Sequence, residues 1–247
     1  MVTQPKIVLH QWLISPFCGK VRKVLALKGL AYDVVEYGGV RALQVKRLSH
    51  AGKLPILDYA GERFADSSVI ARMLEARHPE PSLYPARPRE RQLAHLLEDW
   101  ADESLYWFEL WSRFCDPVAR ERAVALFCEG RPAYERSIVR LGMRPYQRAV
   151  KVQGLGRYPD AFIRSALLEH LAALDGLLAE GPWLVGERAS IADIAVSAQL
   201  DEFARTSTLA HELGAFPRLV AWLERCDFQR NATPRIRQEP ELEAASA

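Results

Sequence analysis

The first third of the chain alternates short extended runs with helical patterns. Residues 7–12 (IVLHQW) and 32–37 (YDVVEY) are rich in β-branched and aromatic side chains, which predicts two short strands. Between them, residues 16–28 (PFCGKVRKVLALK) place apolar side chains at helical spacing, and Gly29 ends the helix. Two strands joined by a helical crossover lie parallel to each other. This part of the chain is therefore predicted to be a β-α-β unit.

A second group of elements follows a basic, poorly patterned stretch over residues 41–50. Residues 53–65 (KLPILDYAGERFA) contain two extended runs around a Tyr-Ala-Gly turn, which predicts a β-hairpin, and residues 68–77 have a helical pattern. The order β-α-β followed by β-β-α is that of a thioredoxin-like layer. Four prolines then predict a linker between residues 79 and 88.

Beyond the linker the pattern is almost entirely helical. Four aromatic side chains between residues 100 and 114 share one face of a helix at about 100° per residue. Further helices are predicted over residues 159–178, from residue 191 and from residue 217. Ser190 and Asp193 form an S-x-x-D capping box, which indicates a structural role at a helix start.

The predicted fold is an α/β thioredoxin-like N-terminal domain followed by an all-α C-terminal domain. The first domain comprises residues 1–80 and the second residues 89–235. Residues 236–247 lack apolar periodicity, so we expect a mobile tail. A length of 247 residues agrees with two domains, since single domains cluster near ~100–150 residues.

Composition narrows the class of protein. Apolar residues make up 49% and charged residues 26%, which excludes a disordered or collagenous chain. The net charge of +2 does not favour a nucleic-acid or membrane-surface partner, and no apolar run approaches the ~20 residues of a membrane span. The four cysteines lie far apart, without a C-x-x-C pair or zinc-ligand spacing. We therefore expect a cytoplasmic protein with reduced thiols and no metal.

The first candidate for chemistry is Ser15-Pro16-Phe17-Cys18, at the predicted junction of strand and helix. A redox C-x-x-C motif would occupy this place, but serine replaces its first cysteine, which excludes a dithiol cycle. A hydroxyl at the positive end of a helix, beside free backbone N–H groups, is suited to holding a thiolate brought by a substrate. Alternatively, Ser15 only caps the helix, a role worth ~1 kcal/mol.

Two further stretches have the chemistry of a peptide-binding site. Leu54-Pro55 precedes the hairpin, where a cis proline would leave the Leu54 backbone free to pair with a peptide-like ligand. Asp66 and Ser67 lie at a helix start. They are common helix caps there, but Asp66 can also bind an ammonium group while the helix N–H groups bind a carboxylate.

These stretches occur in the order and spacing of the cytosolic glutathione transferase family, which the chain resembles over nearly its whole length. The Ser-Pro-Phe stretch and its basic helix are most similar to Ser-using transferases such as the tau class. The resemblance implies that Ser15 is the catalytic hydroxyl. It also implies a set of glutathione-binding residues: Phe17, Lys53, Leu54, Pro55, Asp66 and Ser67.

Each part of glutathione has implied partners in this set. Leu54 and Pro55 would clamp the backbone of the cysteinyl residue, Asp66 and Ser67 would bind the γ-glutamyl group, and Lys53 would pair with the glycyl carboxylate. The resemblance further implies a homodimer and a role in detoxification.

The implied reaction is attack by the sulfur of glutathione, the co-substrate, on a small hydrophobic electrophile. Tyr106, Trp107, Phe108 and Trp111 are candidates for the apolar wall of the electrophile site. Aromatic residues at helical spacing also build cores, so a core role for them stays open.

Two alternative functions remain. Cys18 falls in the first helical turn, where a lowered thiol pKa would give glutathionyl transfer, although helix geometry directs it inward and so favours Ser15. The other alternative is a non-catalytic binding or scaffold protein. Residues 153–158 (QGLGRY) resemble a motif of failed-axon-connections and metaxin-type relatives, and lie in a segment longer than a transferase helical hairpin needs.

That segment, residues 113–164, is also unusual in charge. It carries 11 basic and 5 acidic side chains, and ten of the basic residues are arginines. Residues 165–247 carry 7 basic and 13 acidic side chains, so the small net charge is a cancellation. Arginine is suited to carboxylate and phosphate recognition, but pairing with the acidic third segment would also account for the excess.

Overall fold

The computed structural model describes residues 6–228 and the short strand Arg235–Ile236. Apart from Ile236, the predicted mobile tail lies outside the described residues. Apart from a 3₁₀ helix that was not predicted, the elements of the first domain come in the predicted order. They are β1 (Ile7–Gln11), α1 (Pro16–Leu27), β2 (Asp33–Glu36), a 3₁₀ helix (Gly39–Arg47), β3 (Ile56–Tyr59), β4 (Glu62–Ala65) and α2 (Ser67–Arg77).

The strands form one sheet in the order β4-β3-β1-β2-β5. Strand β1 pairs with β2 in parallel, whereas β3 is antiparallel to both β1 and β4. The predicted β-α-β unit and the predicted hairpin are thereby confirmed. Both were predictable because each depends on a short, local pattern of apolar and turn residues.

The fifth strand, β5 (Arg235–Ile236), pairs in parallel with β2. The predicted domain boundary assigns Arg235 to the helical domain and Ile236 to the C-terminal tail, whereas the structure places both in the sheet of the first domain. A run of two residues is too short to show a periodic pattern, so the sequence does not predict this strand. Its pairing uses the free hydrogen-bonding groups along the edge of β2.

The second domain is helical. Its helices are α3 (Pro88–Trp100), α4 (Tyr106–Phe114), α5 (Pro117–Phe127), α6 (Glu135–Gly142), α7 (Arg144–Gln153), α8 (Asp160–Leu177), α9 (Ile191–Thr206) and α10 (Pro217–Arg225). This domain also contains the 3₁₀ helices Leu155–Arg157 and Thr208–Ala215.

A π-helical stretch, Ala101–Leu105, joins α3 to α4. The sequence predicts one regular helix with its aromatic residues on one face, and the π stretch makes that prediction wrong. A π turn holds more residues than an α turn, so it rotates everything before it relative to everything after it. Accordingly Trp111 and Phe114 are buried in the core, while Trp100 and Trp107 are only half-buried.

One continuous apolar core spans both domains. It includes Leu9 and Val21 of the first domain together with Leu105, Ile194 and Trp222 of the second, all at most 1% exposed. Helix α1 packs against α9, which brings the N-terminal helix into the middle of the molecule. The start of α1 is therefore held by the packing of the helical domain.

The central segment, residues 113–164, forms α5, α6 and α7 and packs on the first domain. The Glu135 carboxylate of α6 accepts a hydrogen bond of 2.9 Å from the Val40 N–H, and the Phe127 ring lies edge-on to Trp12 at 5.8 Å. Gly39, at φ +61°, leaves room for this contact, since a Cβ there would overlap the Glu135 carboxylate.

Part of the basic excess of this segment is neutralised by the acidic third segment. Arg113 lies 3.5 Å from Glu202, and Arg164 pairs with Glu212. Intramolecular pairing therefore explains some of the arginines, as the charge pattern suggests.

Candidate active site

The three predicted stretches meet at one end of the sheet. The first residue of β3 pairs with the fourth residue of β1 and also with the last residue of β4. Ser15 follows β1, Pro55 precedes β3 and Asp66 follows β4. All three therefore lie just beyond the same row of paired residues, although they are up to 51 positions apart in the chain.

Ser15 caps α1. Its Oγ accepts a hydrogen bond of 3.3 Å from the Cys18 N–H, and the residue is 8% exposed. Capping uses a lone pair of the hydroxyl and leaves its proton available to a second partner. Pro16 has no N–H, so among the described residues the Phe17 N–H is a first-turn donor without an intramolecular acceptor. The helix start therefore combines a hydroxyl with a free backbone donor.

Cys18 is enclosed in the core of the first domain. It is 0% exposed, and its Sγ accepts a hydrogen bond of 3.5 Å from the Trp12 N–H. Burial raises the pKa of the thiol to about 11, and the neighbouring Ser15 and Arg22 offset this only in part. At neutral pH the side chain is a protonated thiol inside an apolar cluster, the opposite of an activated nucleophile.

The peptide bond between Leu54 and Pro55 is cis. The Leu54 side chain is buried, and among the described residues its backbone N–H and C=O have no hydrogen-bond partner. Lys53 is exposed beside it. This short segment offers an open backbone edge next to an exposed cation.

Asp66 caps α2 in a strained conformation. Its Oδ1 accepts hydrogen bonds of 3.0 Å from the N–H groups of Ser68 and Val69, while Oδ2 has no partner among the described residues. The backbone φ of +78° is rare for any residue but glycine, and such strain clusters at functional sites. Ser67 follows, buried at 3% exposed, at the first position of the helix.

A buried lysine that the sequence analysis missed supports this helix start. Lys20 Nζ lies 2.8 Å from Ser68 Oγ, 2.7 Å from Asp102 Oδ2 and 2.6 Å from Glu98 Oε1. Burial raises the pKa of Asp102 despite the lysine beside it. The cluster ties α1, α2 and the π stretch together, and it places two carboxylates against one cation.

A second missed residue, Arg113, supports the start of α1. Its Nη1 donates a hydrogen bond of 2.7 Å to the carbonyl of Ile14, directly before Ser15. The guanidinium also pairs with Glu109 and Glu202, all three side chains being at most 4% exposed. Burial raises the pKa of Glu109 to about 7, against the opposing effect of Arg113. The i,i+4 spacing of Glu109 and Arg113 is a local sequence signal, but the contacts with Ile14 and Glu202 join distant parts of the chain and have none.

The predicted aromatic wall divides into two pairs. Tyr106 packs on Phe17 with ring centres 4.9 Å apart, and Trp111 donates a hydrogen bond of 3.2 Å to Asp160. Trp107 and Phe108 instead line an open cavity of about 460 Å³, which we call the aromatic cavity. The side chains around it are Ser104, Trp107 and Phe108 on one side and Gln153, Gly154, Leu155, Arg157 and Tyr158 on the other.

The unusual QGLGRY stretch thus supplies one wall of the aromatic cavity. The ring of Tyr106 lies 5.5 Å from that of Trp107, so the aromatic contacts run from Phe17 to the cavity. Among the described residues, no group of three or more His, Cys, Asp or Glu side chains is arranged to hold a metal ion. None of the described helices combines the length and apolar character that crossing a bilayer requires.

Comparison with known families gives matches to both domains. Residues 9–82 match the family profile described as glutathione S-transferase, N-terminal domain. Residues 117–225 match the profile described as glutathione S-transferase, C-terminal domain.

Individual relatives are distant. A glutathione S-transferase of Pseudomonas putida is 29% identical over 139 residues, covering 52% of this chain and 62% of its own length. A maleylacetoacetate isomerase of Pseudomonas aeruginosa is 27% identical over 249 residues, covering 96% of this chain and 91% of its own. Failed axon connections of Drosophila melanogaster is 23% identical, covering 76% of this chain and 46% of its own.

Solved structures share the fold. The β-etherase LigF from Sphingobium sp. strain SYK-6 has a TM-score of 0.66 at 22% identity, covering 89% of this chain and 94% of its own. A glutathione S-transferase from Methylobacterium radiotolerans, solved with glutathione sulfonate, has a TM-score of 0.60 at 24% identity, covering 96% and 98%. The predicted fold class, an α/β first domain followed by a helical second domain, is confirmed.

Proposed function

Because the chain belongs to the glutathione S-transferase family, we propose that it binds glutathione and activates its thiol for attack on a small hydrophobic electrophile. The observation that carries the proposal is the meeting of Ser15, the free Leu54 backbone and Asp66 at one end of the sheet. The Methylobacterium transferase that shares the fold was solved with a glutathione derivative, which supports the choice of co-substrate.

Each part of glutathione has a partner of suitable chemistry. The cysteinyl backbone pairs with the free N–H and C=O of Leu54. The γ-glutamyl ammonium pairs with Asp66 Oδ2, while its carboxylate accepts a hydrogen bond from the Ser67 N–H, the donor of this first turn that has no partner among the described residues. The exposed ammonium of Lys53 pairs with the glycyl carboxylate.

The cysteinyl sulfur then lies at the start of α1. The Ser15 hydroxyl donates to the sulfur, and the Phe17 N–H and the helix dipole favour the thiolate. A hydrogen bond to a charged group contributes ~1.5–3 kcal/mol, and a helix end ~0.3–1 kcal/mol. Together they can lower the pKa of a thiol from ~8.5 to ~6.5, which corresponds to ~2.7 kcal/mol.

The reaction needs no further catalytic base. The thiol proton passes to solvent, the thiolate forms a carbon–sulfur bond with the electrophile, and a leaving group departs with its electron pair. Burial of Cys18 speaks against the alternative of glutathionyl transfer through that thiol. Isomerisation that begins with the same thiolate addition is the second candidate, favoured by the isomerase relative that matches over 91% of its length.

A homodimer in the cytoplasm completes the proposal. Val69 of α2 and Leu93 and Leu96 of α3 are 41%, 43% and 67% exposed, which supports contact with a second subunit. All four cysteines are free, which supports a reducing compartment.

Calorimetry with glutathione tests the binding part of the proposal. Asp66→Asn keeps an efficient helix cap and removes the negative charge, so we expect about tenfold weaker glutathione binding, because a charge-assisted hydrogen bond is lost, with thermal stability unchanged. A glutathione analogue without the ammonium group is the matched control and should bind both proteins equally. Absence of binding at millimolar glutathione would instead support a non-catalytic scaffold.

A further inference from the structure

We propose that the electrophile carries a carboxylate and that Arg157 binds it inside the aromatic cavity, a specificity that rests on the proposed function. Arg157 lines this cavity together with Trp107, Phe108 and Tyr158. The structure thus places one cation among aromatic walls, on the stretch of chain that departs most from an ordinary transferase.

The guanidinium of Arg157 is already held in position. Its Nε donates a hydrogen bond of 3.0 Å to the Lys151 carbonyl, and its Nη2 donates one of 3.3 Å to the Val152 carbonyl. Both carbonyls belong to the last turn of α7, where helix acceptors have no partner of their own. Two bonds fix the plane of the group, so little side-chain entropy remains to be lost on binding.

The remaining nitrogen is free to bind an anion. Among the described residues, Nη1 of Arg157 makes no hydrogen bond, and no carboxylate lines the aromatic cavity. The nearest acidic residue in the sequence, Asp160, instead accepts a hydrogen bond from the Trp111 indole. A carboxylate from the ligand would therefore be the partner that the cavity lacks.

Local contacts fix the conformation of the chain around Arg157. Gly154, at φ +122°, turns the chain sharply after α7, and the Gln153 side chain accepts a 3.0 Å hydrogen bond from the Leu155 N–H. Tyr158 stacks on Phe162 with ring centres 4.6 Å apart. Contacts within the same segment therefore hold the backbone and rings beside Arg157 in place.

Two successive ring contacts connect the start of α1 to the aromatic cavity. Phe17, two residues after Ser15, contacts Tyr106, and Tyr106 contacts Trp107. A planar aromatic acid bound by Arg157 would thus extend along Trp107 toward the start of α1. The substrate class is an aromatic electrophile with an acidic group away from its reacting carbon.

Two probes differ only in this charge, 4-chloro-3-nitrobenzoate and its methyl ester. With either probe the thiolate forms a carbon–sulfur bond at the ring carbon that bears chlorine, chloride leaves with the bonding electron pair, and the thiol proton goes to solvent. Each enzymatic rate is divided by the rate of the same probe with glutathione alone, which removes the difference in intrinsic reactivity.

Arg157→Gln should lower kcat/KM for the acid by about 10- to 100-fold and leave the ester within about threefold, because only the acid loses a charge-assisted bond. Arg157→Lys keeps the positive charge but not the planar guanidinium, so its kcat/KM for the acid should lie between the values of the wild type and of Arg157→Gln. Arg148→Gln is the matched control, since it removes one exposed cation of α7 that does not line the cavity. Calorimetry with the unreactive 4-methyl-3-nitrobenzoate should show the same order of binding.

An unchanged ratio of acid to ester in Arg157→Gln, or an equal loss in Arg148→Gln, would overturn the assignment of Arg157. Turnover of the ester in those same proteins would leave the proposed function standing. Failure of the wild-type protein to bind glutathione would overturn the proposed function, and the acid specificity with it.

Discussion

Replacement of Arg113 by methionine is the sharpest test of how the helical domain supports the proposed catalytic loop. The guanidinium lies between Glu109 and Glu202 and donates to the Ile14 carbonyl, one residue before Ser15. Methionine fills similar volume but removes both the charge and the donors. Glu109 is then left buried without its cation, whereas Glu202 keeps Arg205 at 3.4 Å and Arg22 at 3.9 Å.

The expected loss of stability is large. Removing one partner of a buried ion pair costs ~3–5 kcal/mol, since the other charge stays desolvated. For a chain of this size each kcal/mol corresponds to a change in melting temperature of ~2–4 °C, so Arg113→Met should melt roughly 6–20 °C lower. Adding Glu109→Gln removes the stranded charge and should restore a substantial part of that loss.

The effect should depend on pH with a definite sign. Burial raises the pKa of Glu109 from 4.5 to about 7, so the folded state binds this proton more strongly than the unfolded state. The stabilisation from that proton is complete below pH ~4.5 and is lost as the pH rises through about 7. Arg113→Met should therefore lose less stability at pH 5.5 than at pH 8, and Glu109→Gln should flatten the wild-type profile in this window.

Thermal unfolding followed by circular dichroism at several pH values measures these differences, and steady-state kinetics on the same samples reports on the loop at Ile14. A melting temperature of Arg113→Met within about 2 °C of wild type would refute the assignment of a buried, charge-balancing role. Equal melting temperatures of the single and double variants would refute the identification of Glu109 as the stranded charge.

The remaining predictions concern the other supports of the site. Cys18→Ala should keep transferase activity, and the Cys18 thiol should react slowly with a disulfide reagent at pH 7, since burial raises its pKa to about 11; rapid labelling would contradict this. Lys20→Met should lower both stability and glutathione affinity, measured by thermal unfolding and calorimetry, because it strands two carboxylates beside α2. Gly39→Ala should melt below Gly29→Ala, since both glycines have positive φ but only at Gly39 would the new Cβ overlap Glu135; equal melting temperatures would contradict the packing of α6 on the first domain.

The parts of the fold that were predictable depend on local chemistry. The β-α-β unit, the hairpin and the cap at Ser15 each follow from a few neighbouring residues, and the structure confirms them. The π stretch Ala101–Leu105 was not predictable, because its sequence fits a regular helix. Within this stretch Asp102 contacts Lys20 of the first domain, a pairing that no local pattern contains.

The residues of the candidate site also fall into two groups, those with a local sequence signal and those without one. Ser15, Leu54 and Asp66 occupy turns and helix starts, where residue type and position already suggest their chemistry. Lys20 and Arg113 look like ordinary helix residues, and their role depends on partners that lie as far as 99 positions away. A single sequence carries no local signal for such pairs, because what holds them together is tertiary packing.

The most direct test of the central claim is the pKa of the glutathione thiol in the bound complex, read from thiolate absorbance as the pH is varied. We expect a value well below the ~8.5 of a free thiol in the wild-type protein. Ser15→Ala should return it toward that value, and so should Ser15→Asp, which keeps the cap but cannot donate to sulfur. An unchanged, low pKa in both variants would contradict the account, because it would show that the Ser15 hydroxyl does not stabilise the thiolate.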